Sequence, residues 1–201
     1  GVDDVRAVTI LGVDPGFAST GWAAFSLTPN PPGVPIEGVL GMGCVGTKPT
    51  TGKVPVEADR LRRVGLLTTA LRDLIDRYRP ILVAMEAPSH VHGKGRGPNA
   101  NTMYAMGLTY GAFGAVCELQ RLPVVIYSPQ KVKAAAATVA TASKSDVQAA
   151  MDTRFQMPLA TQHLQGVARG KYEHPYDALA VAVTAAGEPL VRTALAYLGG
   201  Q

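Results

Sequence analysis

The chain has 201 residues, 47% hydrophobic and 17% charged, with a formal net charge of +4, a balance that excludes disorder and coiled coil. It fits one α/β domain over residues 1–201, large enough to bury a core unaided, and the small basic excess permits an anionic partner without identifying one. No run approaches the length of a membrane span and no basic segment leads into an apolar stretch at the N-terminus, so the expected setting is cytoplasmic with no membrane partner.

In chain order, Val8–Val13 and Gly21–Leu27 read as strands joined by an Asp-Pro-Gly turn, and Ile36–Val45 as a third strand after a Pro-rich loop. Three strands in succession predict an antiparallel opening. From Pro55 to Arg79, Leu61, Val64, Leu67, Leu71, Leu74, Ile75 and Tyr78 recur at three and four, which predicts an amphipathic helix stopped by Pro80. "ILVAME" is then a short buried strand running into Glu86, and Ala87–Asn101 is a glycine-rich loop carrying His90, His92, Lys94 and Arg96. A helix is expected from about Asn101 to Leu119, a strand over Pro123–Tyr127, and a helix with Ser128 as N-cap and Pro129 at its first position. Ser143 and Asp146 have capping-box spacing and open a helix toward Phe155. A loop through His163, Arg169 and Lys171 leads to a last helical region, Pro175–Leu198, broken near Gly187 and Pro189. Cys44 and Cys117 are far apart and outside any CxxC pair, so they read as reduced, buried thiols and not as a disulfide or zinc site.

Most of the 15 acidic residues sit among basic neighbours on helices, as Glu57, Asp59, Asp73 and Asp76 do, and read as solvated surface. Asp14, Glu86 and Asp177 differ: two end apolar strands and one opens the apolar run "DALAVAV". A carboxylate in such surroundings is costly unless paired or metal-bound. Acids at neighbouring strand ends with a third on a helix across them can converge on hard divalent cations. Two ions about 4 Å apart activate a water and stabilise a leaving oxygen in phosphodiester hydrolysis. Spacing alone leaves that reading level with three ordinary capping and turn acids.

The segments "LGVDPGFASTGWAAF", "ILVAMEAP", "SPQKVKAAAATVATASKSDVQAAM" and "HPYDALAVAV" resemble, in order, the signature blocks of RuvC, the bacterial Holliday-junction resolvase family, over about residues 10–185. The resemblance implies an RNase H-like fold: a mixed five-stranded sheet, its first three strands antiparallel, flanked by helices. It implies a structure-specific endodeoxyribonuclease that makes paired symmetric nicks in branched DNA and leaves 5′-phosphates. Asp14 matches the carboxylate bridging two Mg²⁺ ions, for which Mn²⁺ substitutes. Glu86 and Asp177 match the second acid and the acid of the last helix. His174, one helical turn before Asp177, falls where members carry His or Asp, as a metal ligand or water-orienting group. Lys133 and Lys144 match two functional lysines, which suit phosphate contacts near helix starts. A homodimer, through the helix carrying Met103, Met106, Tyr110 and Phe113, and a branch-migration helicase partner are implied as well.

The chain departs from the family after its second acid. Family members carry an aromatic there that enters the junction, whereas this chain has Ala87, Pro88 and Ser89 and no aromatic until Tyr104. Its basic loop suits phosphate tracking through Lys94 and Arg96, which leaves open a broader nuclease acting on forks and flaps. "LGVDPGFASTG" also resembles the phosphate hairpin of actin-like and sugar-kinase ATPases, but those need two lobes and a second phosphate turn. A DNA-binding relative without catalysis typically lacks one of the acids, and here all three are present beside His174.

Overall fold

The computed structural model describes residues 7–88, 100–137 and 141–200. Five strands form one sheet: β1 (Val8–Asp14), β2 (Ser19–Thr28), β3 (Ile36–Gly46), β4 (Leu82–Glu86) and β5 (Val124–Tyr127), in the order β3-β2-β1-β4-β5. β1–β2 and β2–β3 are antiparallel, whereas β4 lies parallel to β1 and β5 parallel to β4, as expected of a mixed sheet. β1 and β4 are buried on both faces, which explains their nearly unbroken apolar runs. The β2–β3 register slips between Ala24 and Phe25, so Leu40 has no partner on β2 and bulges toward solvent.

Alternation along β1 divides the core. Leu11 and Val13 face α1 (Val56–Tyr78) and α2 (Ala100–Leu119), packing with Leu67, Leu71, Phe113 and Cys117. Val8 and Ile10 face the other layer, built from α3 (Pro129–Ala137), α4 (Lys144–Arg154), α5 (Leu159–His163), α6 (Glu173–Ala185) and α7 (Pro189–Gly199). α1 ends where the sequence places its stop: Pro80 disfavours α geometry at Arg79, which takes φ 45° and donates its N–H to the Ile75 carbonyl. The expected capping box on α4 is formed, with Ser143 accepting from the Asp146 N–H and donating its own N–H to the Asp146 carboxylate at 2.7 Å.

Three expectations change. The loop before the last helix holds α5 and a 3₁₀ turn, Arg169–Lys171, because Leu159 and Leu164 are fully buried anchors in a segment too short to show a period. The Tyr176 hydroxyl fastens this segment by donating to Asp152 at 2.7 Å and accepting from the Ala160 N–H at 3.1 Å. α6 starts at Glu173, with Pro175 inside its first turn, where the missing N–H costs nothing. On α2 the buried stripe is Ala105, Thr109, Phe113 and Cys117, so Phe113 belongs to the chain's own core while Met103 and Tyr104 are exposed. Cys117 is buried and Cys44 half-buried, and neither is paired. No single helix among the described residues is long and apolar enough to cross a membrane; the bent pair of α6 and α7 has the composition, but α6 is buried in the protein.

Candidate active site

The parallel pairing of β1 with β4 sets Val13 against Met85, so the next residues, Asp14 and Glu86, lie side by side at the strands' C-terminal ends. Both are in the alternating set that faces α6. After Asp14 the chain turns back at Pro15-Gly16, where a side chain on Gly16 would strike the Ser19 carbonyl at 2.2 Å. Thr20 holds the turn by donating to the Gly16 carbonyl at 2.8 Å, and Thr47 by donating to that of Phe17 at 2.6 Å.

α6 comes unusually close to the sheet at two glycines. A Cβ on Gly12 would lie 1.9 Å from the Ala178 carbonyl oxygen, and one on Gly21, the cross-strand partner of Asp14, 2.2 Å from His174 backbone atoms. That approach sets the first turns of α6, with His174 and Asp177, over the two strand-end acids. His174 Nδ1 is 2.7 Å from Asp14 Oδ2, across 160 residues of sequence. An ionised carboxylate only accepts, so Nδ1 carries the proton. Asp14 raises the His174 pKa above its ordinary value, mainly through this bond.

Burial, reinforced by the charges of Asp177 and Asp14, pushes Glu86 up to about 7. Burial and then Asp14 push Asp177 up to about 6. Both carboxyls therefore hold protons more tightly folded than unfolded, and their linkage destabilises the fold as pH rises from about 4 through 7. The expected result is a melting temperature in EDTA that falls across that window, with Mg²⁺ restoring most of the loss at the upper end. A slope unchanged in Glu86→Gln and Asp177→Asn would assign the effect to other groups.

The donor set is hard carboxylate oxygen with one imidazole, and the crowded negative charge is what a divalent cation offsets, so its chemistry fits a hard divalent cation. Among the described residues no three of these groups are gathered tightly enough to ligate one ion as they stand. Ligation therefore requires movement of these side chains.

Both lysines expected at the site are near it. Lys133 on α3 and Lys144, the first residue of α4, each lower the Glu86 pKa. The Lys144 ammonium is paired with Glu173 of α6; burial opposes its charge, but Glu173, Asp177 and Asp14 together raise its pKa. Lys94 and Arg96 lie outside the described residues, as do His90 and His92. His163 ends α5, half-buried and with a pKa lowered by burial.

Two contributors escaped sequence reasoning. Glu173 bridges the site, tied to Lys144 through one oxygen and 3.9 Å from His174 Nε2 through the other; an acid directly before His174 was its signal. The Tyr110 hydroxyl donates to the Glu86 backbone carbonyl and steadies the end of β4 from α2, a contact that helical spacing does not announce.

Comparisons with known proteins bear on the fold and the family. A family model for crossover junction endodeoxyribonuclease RuvC matches residues 10–185. Relatives of that description include one from Thermomicrobium roseum, 29% identical over 87% of this chain and 90% of its own, and one from Halorhodospira halophila, 32% identical over 69% and 71%. Among solved structures, Thermus thermophilus RuvC superimposes with a TM-score of 0.65 at 24% identity, covering 89% of this chain and 93% of its own. The same protein in complex with a Holliday junction substrate gives 0.64 at 22%, and the yeast mitochondrial Holliday junction resolvase Ydc2 gives 0.54 at 13%. An RNase H-like sheet with acids at the ends of its central strands and a family match over most of its length together mean that this chain belongs to the RuvC family of crossover junction endodeoxyribonucleases.

Proposed function

We propose that the chain is a divalent-metal-dependent nuclease that resolves Holliday junctions, with Asp14, Glu86, Asp177 and His174 as its catalytic and metal-holding groups. The observation that carries this reading is the His174–Asp14 bond between the last helix and the first strand, beside two carboxyls with raised pKa. Two Mg²⁺ ions bound there would supply an activated water and a counter-charge for the leaving oxygen. Asp14 holds the imidazole by Nδ1, which leaves Nε2 either to hold a metal ion or to orient the attacking water and take its proton. Lys133 and Lys144 hold the strand by its phosphates, and the substrate exchanges one anion for another where Glu173 now occupies the Lys144 ammonium. Paired incisions in a two-fold symmetric junction call for a symmetric dimer.

The test is cleavage of a synthetic four-way junction beside matched duplex, fork and flap DNA in Mg²⁺ or Mn²⁺. Symmetric nicks confined to the junction support the reading, equal cutting of forks and flaps broadens it, and binding without cutting in either metal overturns it. Lys144→Ala is expected to lower junction cleavage about ten- to a hundredfold, with an unchanged circular dichroism spectrum, since a charge-assisted phosphate contact contributes roughly 1.5–3 kcal/mol. A wild-type rate at limiting enzyme would remove Lys144 from the site.

A further inference from the structure

The turn after Asp14 has three successive carbonyls tied down by two threonines. Thr20 donates its hydroxyl to the Gly16 carbonyl at 2.8 Å. Thr47 takes the next two, donating its hydroxyl to Phe17 at 2.6 Å and its N–H to Ala18 at 3.0 Å. Both threonines are buried. In a planar trans peptide the N–H lies opposite the C=O, so the amides of Phe17 and Ala18 turn away from the threonines that hold the carbonyls before them. Among the described residues neither amide has a hydrogen-bond partner. Phe17 is half-buried and Ala18 exposed, so both can meet a ligand. Successive free amides on one turn make a concavity suited to an anion.

Thr47 is where this arrangement is fixed. Its hydroxyl oxygen accepts from Arg63 Nε at 3.0 Å, and that acceptance directs its own proton to the Phe17 carbonyl. The Arg63 guanidinium lies 4.0 Å from the Phe17 ring centroid, and its side chain is only 11% exposed. Arg63 is also 4.0 Å from Asp59, so its charge is answered and it serves α1 as a strut against the turn. Backbone amides are well suited to this end of the sheet. Beside Asp14, Glu86 and Asp177 they hold an anion without adding a charge for those acids to neutralise.

We propose that Thr47 is a positioning residue for the nuclease: it aims the Ala18 amide, next to that of Phe17, at the backbone phosphate flanking the one that is cut. The proposal rests on the nuclease reading, because a strand whose scissile phosphate reaches Asp14 lays its neighbouring phosphate along the turn that begins there. The contact is to phosphate alone and carries no base information.

The test uses the full chain and four-way junctions in which each phosphate flanking the nick is replaced, in turn, by an uncharged methylphosphonate. At one position the replacement is expected to slow wild-type cleavage about ten- to a hundredfold, the effect of losing hydrogen bonds to a charged group. Thr47→Val, which keeps the shape and removes the hydroxyl, is expected to cut the unmodified junction slower by a similar factor and to lose nothing further at that position. Thr47→Ser, which keeps the hydroxyl, is expected to restore both the rate and the position dependence. Equal wild-type rates at every position overturn the proposal, as does a position dependence that survives in Thr47→Val or a Thr47→Ser chain that behaves like Thr47→Val. A chain that binds junctions without cutting overturns the nuclease reading. The turn is then decided by affinity: weaker wild-type binding at one methylphosphonate position, absent in Thr47→Val, supports the contact, and equal binding at all positions overturns it. A chain that binds no junction overturns both.

Discussion

Asp14→Asn is expected to bind a four-way junction with near wild-type affinity and to cut it at least about a thousandfold more slowly. The amide keeps the shape of the side chain and an oxygen for His174 Nδ1, now 2.7 Å away, so the docking of α6 survives. What disappears is a negative charge that acts on both Glu86 and Asp177 and, on the proposed function, a carboxylate ligand to the metal. Loss of the several kcal/mol that a bound ion contributes to the transition state corresponds to that factor. Cleavage rates under single-turnover conditions, with binding measured in Ca²⁺, separate the two effects. A variant within tenfold of wild type would move the chemistry away from β1.

Gly12→Ala is expected to cost more than its single methyl group suggests. The new Cβ would sit 1.9 Å from the Ala178 carbonyl oxygen and 2.9 Å from the Ala182 Cβ, so α6 must lift or β1 must bend. Overpacking of this kind costs about 1–3 kcal/mol or more, which in a chain of this size lowers the melting temperature by roughly 3–10 °C. Activity should fall further than stability, since raising α6 withdraws His174 and Asp177 from the strand ends. Gly65→Ala supplies the contrast: it lies on exposed α1 with nothing near its missing side chain, and helix propensity favours alanine there by about 0.5–1 kcal/mol. Both glycines responding alike in thermal melts would refute the account of close approach.

How much of this was legible depends on how each feature is written in the chain. β1 and β4 show as unbroken apolar runs because both their faces are covered, and α1 shows its period because one face is wet. Asp14, Glu86 and Asp177 stood out because each interrupts or opens an apolar run. The resemblance implied a mixed sheet with an antiparallel opening, but the strand order and the parallel pairing that sets Asp14 beside Glu86 join residues 72 positions apart, and no local pattern states such a register. α5 was missed because five residues are too few for a period. The Lys144–Glu173 pair was missed for a different cause: it joins ordinary surface residue types from separate elements, and only the packing of those elements makes them neighbours.

The bond between Asp14 and His174 also orders events in time. Ribosomes deliver Asp14 near the beginning of this sequence and Glu86 midway, while His174 and Asp177 emerge 160 or more residues after the first acid. Until α6 docks on Gly12 and Gly21, the strand-end carboxylates have no imidazole and no third acid above them. A chain interrupted before Glu173, whether by stalled synthesis or by proteolysis, therefore carries half a reaction centre. Such a fragment is expected to leave a four-way junction uncut in Mg²⁺ or Mn²⁺.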